Sequence, residues 1–358
     1  METIKKNSFC ILCFFVMLTT YWGTTTYSLF HTSGVDSYIS ILFSFVLSFI
    51  PLLIYYLLLN HNSKLNIVGL VNKNFGKLGI LINIIFSLFA LFLAINALWN
   101  LTNFISSQYL YQTPKVVITI LFAIASSYIV YKGFETLGNS ATIFFIINIS
   151  LFILTVLSLF SKIELDKLLP TFEFGLNPVL KGTLIHISYN VLPLFFMLIV
   201  SKDNIYNNKN LTKSFLKIYL LTFVIFFIIV FFTISILGID LSKLYLYPEY
   251  HILKTINLAN FFQRVESILS VQIIFSYIIQ IAFYLYYVKT SIKQNLKIKK
   301  DYLILIFSVI ILIFLSNNIF TNNTLAEYYS YHIIPYINYI VLLGIPLIIL
   351  LVSKLKTN

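Results

Sequence analysis

The sequence predicts an all-α polytopic membrane protein. Ten transmembrane helices form one transmembrane domain, built as a 5+5 inverted repeat with broken helices 1 and 6. Three observations carry this. The 358 residues are 59% hydrophobic and only 10% charged, with a mean hydropathy of +0.92, whereas a soluble domain carries about a quarter charged residues. Ten apolar segments come near the roughly 20 helical residues that cross a hydrocarbon core of about 30 Å. Two of them are interrupted by polar, helix-disrupting residues at matching places in the two halves.

The segments lie at about 8–28, 36–59, 78–107, 115–131, 141–161, 180–200, 214–238, 262–289, 301–317 and 333–353, the fourth and ninth being short. In the first, the run from Phe9 gives way to Trp22-Gly23-Thr24-Thr25-Thr26-Tyr27. No small-x-small cleavage site follows, so it reads as a mature helix. Cys10 and Cys13 lack a partner motif and read as inert buried thiols. The third segment carries Asn96, Asn100 and Asn103 at i, i+4 and i+7, a single helix face. The sixth is broken by His186-Ile187-Ser188-Tyr189-Asn190-Val191-Leu192-Pro193. The eighth opens with Arg264 and Glu266 and carries Gln272, Ser276 and Gln280 as one stripe. Between seventh and eighth, Leu244–Phe261 has aromatics, Pro248 and alternating apolar residues. It reads as an amphipathic helix along the outer interface, with an outer gate as the sharper alternative. Ser161–Pro170 reads as a short surface helix.

The halves are 1–162 and 163–358. Five spans per half gives them opposite orientations, the geometry of inverted repeats. Lys and Arg set the topology. The N-terminus, the loops at Lys64–Lys77 and Lys202–Lys217, the Lys132 turn, the Lys289–Lys300 run and the tail hold 17 of the 24 basic residues. By the positive-inside rule both termini are cytoplasmic. The net charge of +12 is mostly this pattern, so it gives no ground for a nucleic-acid partner.

Unwound backbone is tolerated at membrane depth only where protein covers it or water reaches it. Paired breaks therefore point to a mid-membrane site. The candidate ligand-binding residues are Trp22, Gly23, Thr24, Thr25, Asn96, Asn100, His186, Ser188, Tyr189, Asn190, Gln272 and Ser276. Gly23 permits unusual dihedrals. The half-helix after it would offer N–H groups to a carboxylate. Pro193 frees a carbonyl near Tyr189 and Asn190 that could receive an ammonium. The Asn and Gln stripes read equally well as interhelical hydrogen-bond glue. Pro193, Tyr247, Pro248, Arg264 and Glu266 are candidate structural or gating residues. No span carries a deep Asp or Glu, which argues against strong ion coupling. His186 is then the one embedded side chain that titrates near neutrality, and pH dependence is expected to trace to it. GxSxG, HExxH and Walker motifs are missing, which disfavours an enzyme, and no cofactor is expected.

Several stretches carry a family resemblance. They are Thr113-Pro114-Lys115, Tyr131-Lys132-Gly133-Phe134-Glu135, Leu168-Leu169-Pro170, Asn177-Pro178-Val179-Leu180-Lys181-Gly182, Ser188-Tyr189, Tyr247-Pro248-Glu249 and Phe262-Gln263-Arg264-Val265-Glu266-Ser267. In this order and spacing the chain resembles the endospore germination permeases, the GerAB-type B subunits of nutrient germinant receptors, within the amino acid–polyamine–organocation superfamily. The resemblance implies a LeuT-like fold, residence in the spore inner membrane, and a complex with receptor A and C subunits. It also implies sensing of a small nutrient such as an amino acid. Departures are Phe30 near an expected proline, no acid from Asn190 to Leu194, and Asn139 where a basic residue is expected. The rival readings are an autonomous secondary amino-acid transporter and a structural subunit with a degenerate pocket.

Overall fold

The computed structural model describes residues 3–254, 266–320 and 322–356. Arg264 and positions 255–261 lie outside the described residues. Among those described, nine helices are long and apolar enough to cross a membrane, and a shorter apolar helix spans Lys6–Tyr21. That shorter helix is one half of the broken first span. The other half, Thr24–Ser33, runs through a 3-10 turn at Gly34–Asp36 into the second span, Ser37–His61. The first span thus reaches Ser33, beyond the expected end at 28. Its hydroxyls are satisfied within the helix: Ser28 donates to the Thr24 carbonyl (2.9 Å) and Thr32 to that of Ser28 (2.6 Å).

The third to fifth spans are Lys77–Gln108, Lys115–Lys132 and Phe134–Leu159. The fifth starts earlier than expected. Gly133, with φ of 106°, turns the chain, and Glu135 sits in the first turn, where an acid suits the helix dipole. The sixth is α-helical over Leu176–Asn190 and then tightens to a 3-10 helix over Leu192–Ile199. The seventh, eighth, ninth and tenth are Leu211–Leu237, Glu266–Leu296, Asp301–Asn318 and Ile334–Leu355.

Both expected breaks are present, and they face each other. The Thr24–Ser33 half packs on the Leu176–Asn190 half, and the Lys6–Leu18 half on Leu192–Ile199. The first and sixth spans are therefore antiparallel. The third and eighth form the most extensive helix pair and enclose them with the fifth. The fourth and ninth turn Leu121, Ile124, Phe307 and Phe314 outward, as helices facing hydrocarbon do.

One end of the bundle gathers the N-terminus, the 62–77 loop, the 202–210 loop, the 289–300 run and the tail. Ile4–Lys5 pairs with Ile205–Tyr206 as a parallel two-residue ladder. Asn72 donates to Asn295 (3.1 Å), and Lys356 to the Asn74 carbonyl. The segments that hold most of the lysines thus share one end. At the opposite end the Asp36 carboxylate accepts from the Phe172 amide (3.0 Å), and Lys167 donates to the Ile236 carbonyl (2.7 Å). Here 160–168 forms two 3-10 turns instead of the expected short helix.

The segment Pro248–Lys254 is helical, but it does not lie along the interface. Pro248, Glu249, Tyr250, Ile252 and Leu253 are all buried. It tucks inward against the seventh, eighth and fifth spans, over the first break. Its apolar set is matched by protein, not by lipid headgroups.

Candidate functional site

The first break is built on one glycine. Leu18 ends the α-helix, Thr19–Tyr21 form a 3-10 turn, and Trp22 is extended. Gly23 then adopts φ of +81°, a conformation that strains any side chain. The Tyr247 ring lies directly over it: a Cβ on Gly23 would stand 2.7 Å from the ring. The Tyr247 hydroxyl donates to the Asn100 carbonyl (3.4 Å) and accepts from Asn103 (3.3 Å).

The Gly23 amide is already taken. It donates to Glu249 Oε1 at 2.7 Å, and Thr26 Oγ1 lies 3.1 Å from Glu249 Oε2. Glu249 is fully buried, and burial pushes its carboxyl up to about 7 against the pull of its backbone, Gly23 and Thr26 bonds. Glu249 belongs to a loop and not to a span, so hydropathy does not mark it as a buried carboxylate. The Tyr247-Pro248-Glu249 motif was the available signal.

The sixth break is tied to the first by side chains. Asn190 Nδ2 donates to the Met17 carbonyl (2.7 Å). Thr20 Oγ1 donates to the Tyr189 carbonyl (3.0 Å), the group expected to stay open for an ammonium. Between the breaks is a cavity of about 30 Å³, room for a water or two. Thr24, Asn96, Asn100, Tyr189 and Pro193 line it, as do Thr20, Tyr277, Tyr284 and Asn338. Thr24 Oγ1 donates to Asn100 Oδ1 (3.2 Å), and Tyr189 Oη to the Ser330 carbonyl (2.5 Å). Asn338 Nδ2 donates to the Ser188 carbonyl and hydroxyl (3.1 Å each). Its Oδ1 is buried without a partner among the described residues.

The other candidates sit elsewhere. Thr25 back-bonds to the Thr20 carbonyl (2.9 Å), and the Trp22 carbonyl accepts from Tyr277 (3.1 Å). His186 is fully buried on the far side of the sixth helix, bonded to Ser44 (2.9 Å) and set among Tyr21, Phe223 and Phe226. The Gln272 stripe serves as helix glue. Gln272 donates to the Asn148 carbonyl, Gln280 to that of Val16, and Ser276 to its own helix. Tyr277 and Tyr284, one helical step round, face the cavity instead. Glu266 opens the eighth-span helix. Thr20, Tyr277, Tyr284, Asn338 and Glu249 were missed from sequence. Asn338 had a signal, being the one Asn inside the tenth span. A larger cavity, about 250 Å³, opens at the lysine-rich end between the second, sixth and seventh spans and includes neither break.

A family model described as spore germination protein matches residues 3–324. The chain is 27% identical over 224 residues to the putative spore germination protein YfkT of Bacillus subtilis (strain 168), covering 61% of this chain and 59% of that protein. It is 22% identical over 217 residues to spore germination protein KB of the same organism, covering 59% and 57%. These matches span less than two thirds of either relative's length. The fold is similar to that of MhsT, whose crystal structure holds L-phenylalanine. The TM-score is 0.71 at 15% identity, over 99% of this chain and 89% of that one. The fold is thus LeuT-like.

Proposed function

The chain belongs to the spore germination permease family, and from that premise we propose that it is the ligand-sensing, permease-like subunit of a spore nutrient germinant receptor. The ligand is an amino acid or similar small nutrient, held at mid-membrane between two repeats, 1–162 and 163–358. The observation that carries this is the cavity where both broken spans meet, walled by Thr24, Asn96, Asn100 and Tyr189. The unpartnered Asn338 Oδ1 supplies an acceptor for a ligand donor such as an ammonium.

At about 30 Å³ the cavity is far below the roughly 300 Å³ of ordinary small-molecule sites. Admission of a ligand requires the spans to part, so binding selects a second packing of the bundle. A receptor A subunit and a C subunit would read that shift in the spore inner membrane. The test is a thermal-shift screen of the purified protein against amino acids, nucleosides and sugars. A ligand at 100 times its Kd should stabilise by about 2.7 kcal/mol. A flat screen across all three classes, with the protein folded, would sink the ligand-sensing reading.

Both termini are cytoplasmic in this reading. The lysine-rich end faces inward, and Asn177 and Lys299 are exposed at opposite ends. Native Cys10 and Cys13 are buried, so background labelling is low. In intact cells an impermeant thiol reagent should label Asn177→Cys and spare Lys299→Cys. The reverse pattern would turn the molecule over.

A further inference from the structure

We propose that Glu249 is a proton-binding site: the loop helix Pro248–Lys254 docks on the broken first span with the Glu249 carboxyl protonated, so that covering the break takes up a proton. The geometry accommodates one more hydrogen than the carboxylate form supplies. Thr26 Oγ1 lies near three acceptors, Glu249 Oε2 (3.1 Å), the Gly23 carbonyl (3.2 Å) and the Tyr21 carbonyl (3.4 Å). A hydroxyl has one hydrogen. With Glu249 protonated, its Oε2–H donates to Thr26, Thr26 donates to a backbone carbonyl, and Oε1 still accepts from the Gly23 amide. The Gly23 carbonyl already accepts from the Tyr27 amide (2.9 Å), so with Glu249 ionised the lone Thr26 hydrogen cannot serve both Oε2 and the Tyr21 carbonyl.

Charge leads to the same assignment. Glu249 is buried, and neither ion pair among the described residues includes it. Among the described residues the titratable groups facing it are the phenols of Tyr21, Tyr247 and Tyr277, none of which supplies a cation. The fifth, seventh and eighth spans present Thr155, Ile229, Phe232 and Leu269 beside it. A buried carboxyl without a counter-charge neutralises sooner than it pays the cost of an isolated ion.

The direction of the pH effect follows. Docked, the carboxyl titrates at about 7; undocked, near its ordinary 4.5. Docking is then fully favoured below the lower value and is lost as pH rises through the upper one. Between them the docking equilibrium changes roughly tenfold per pH unit. His186 plays no part, since it lies behind the Tyr21 ring, bonded to Ser44, and holds neither Glu249 nor Thr26. The proposal uses only the loop helix and the break, so its failure leaves the ligand reading untouched.

The test uses the full chain in nanodiscs without ligand. Infrared spectroscopy should show a protonated-carboxyl band titrating near pH 7 that is missing in Glu249→Gln and kept in His186→Gln. Amide exchange over 248–254, corrected for its intrinsic pH dependence, should slow as pH falls from 8 to 5. In Glu249→Gln it should be slow and independent of pH. If the wild-type chain shows no carboxyl band titrating above pH 6, the proposal is overturned, whether or not the variants fold. It is equally overturned if the pH step survives Glu249→Gln and disappears in His186→Gln.

Discussion

Gly23→Leu is expected to abolish ligand-induced stabilisation while leaving the protein in the membrane. Two costs combine. Gly23 has φ of +81° and ψ of −64°, a region that costs a residue with a side chain about 1–3 kcal/mol. The new side chain would also enter the space of the Tyr247 ring, since its first carbon alone lies 2.7 Å away, and overpacking of this kind costs about 1–3 kcal/mol. The loop helix must lift, the Gly23–Glu249 bond breaks, and the Thr24–Asn100 wall moves with it. Gly23→Ala should show a smaller form of the same defect. Adding Tyr247→Ala should restore part of the response, because it removes the ring but not the backbone strain. The readout is thermal shift with and without the ligand found in the screen. A normal response in Gly23→Leu would remove this residue from the site.

Gly182→Leu should be the most destabilising single change in the sixth span. Its Cβ would collide with Ser33 Oγ and stand 2.9 Å from Ser40 Oγ. This crossing holds the sixth helix to the end of the first span and the start of the second. Ser33 donates to the Pro178 carbonyl (3.1 Å), Ser40 to that of Val179 (3.1 Å), and Thr183 to that of Ser40 (3.1 Å). Small residues allow such close approach, and each interhelical bond adds about 0.6–2 kcal/mol. Leucine would force the helices apart, lose several of these bonds and cost about 3–5 kcal/mol. The unfolding midpoint in nanodiscs should fall steeply, and Gly182→Ala should fall less. An unchanged midpoint for Gly182→Leu would mean that the crossing is looser than the structure has it.

These two glycines show where the sequence stops being informative. Both stand in recognisable motifs, yet nothing local says that a tyrosine ring covers one and a serine hydroxyl abuts the other. The same holds for pH. His186 looked like the embedded titrating group because it is the one His well inside a span. The structure seats it among aromatic rings and brings in Glu249 from a loop.

By itself the sequence determined the depth of each segment and the positions of the breaks. Hydropathy over some 20 residues reports burial in lipid, and a polar interruption shows where a helix cannot stay regular. It also determined which polar residues share a face, since helical period is local. Asn96 and Asn100 therefore formed a readable pair. The tertiary structure decided what each face meets. Asn96 and Asn100 turn to the cavity, whereas Gln272 and Ser276, spaced the same way, turn to carbonyls of their own and neighbouring helices. Tyr277 takes the cavity face instead. The physical reason is that a polar side chain in a span gains from an interhelical hydrogen bond, and a backbone carbonyl on an adjacent helix serves as well as a site. Which one it finds depends on how the helices are rotated against each other. That rotation is set by packing between residues far apart in the chain, as with Gly23 under Tyr247 and Gly182 against Ser33.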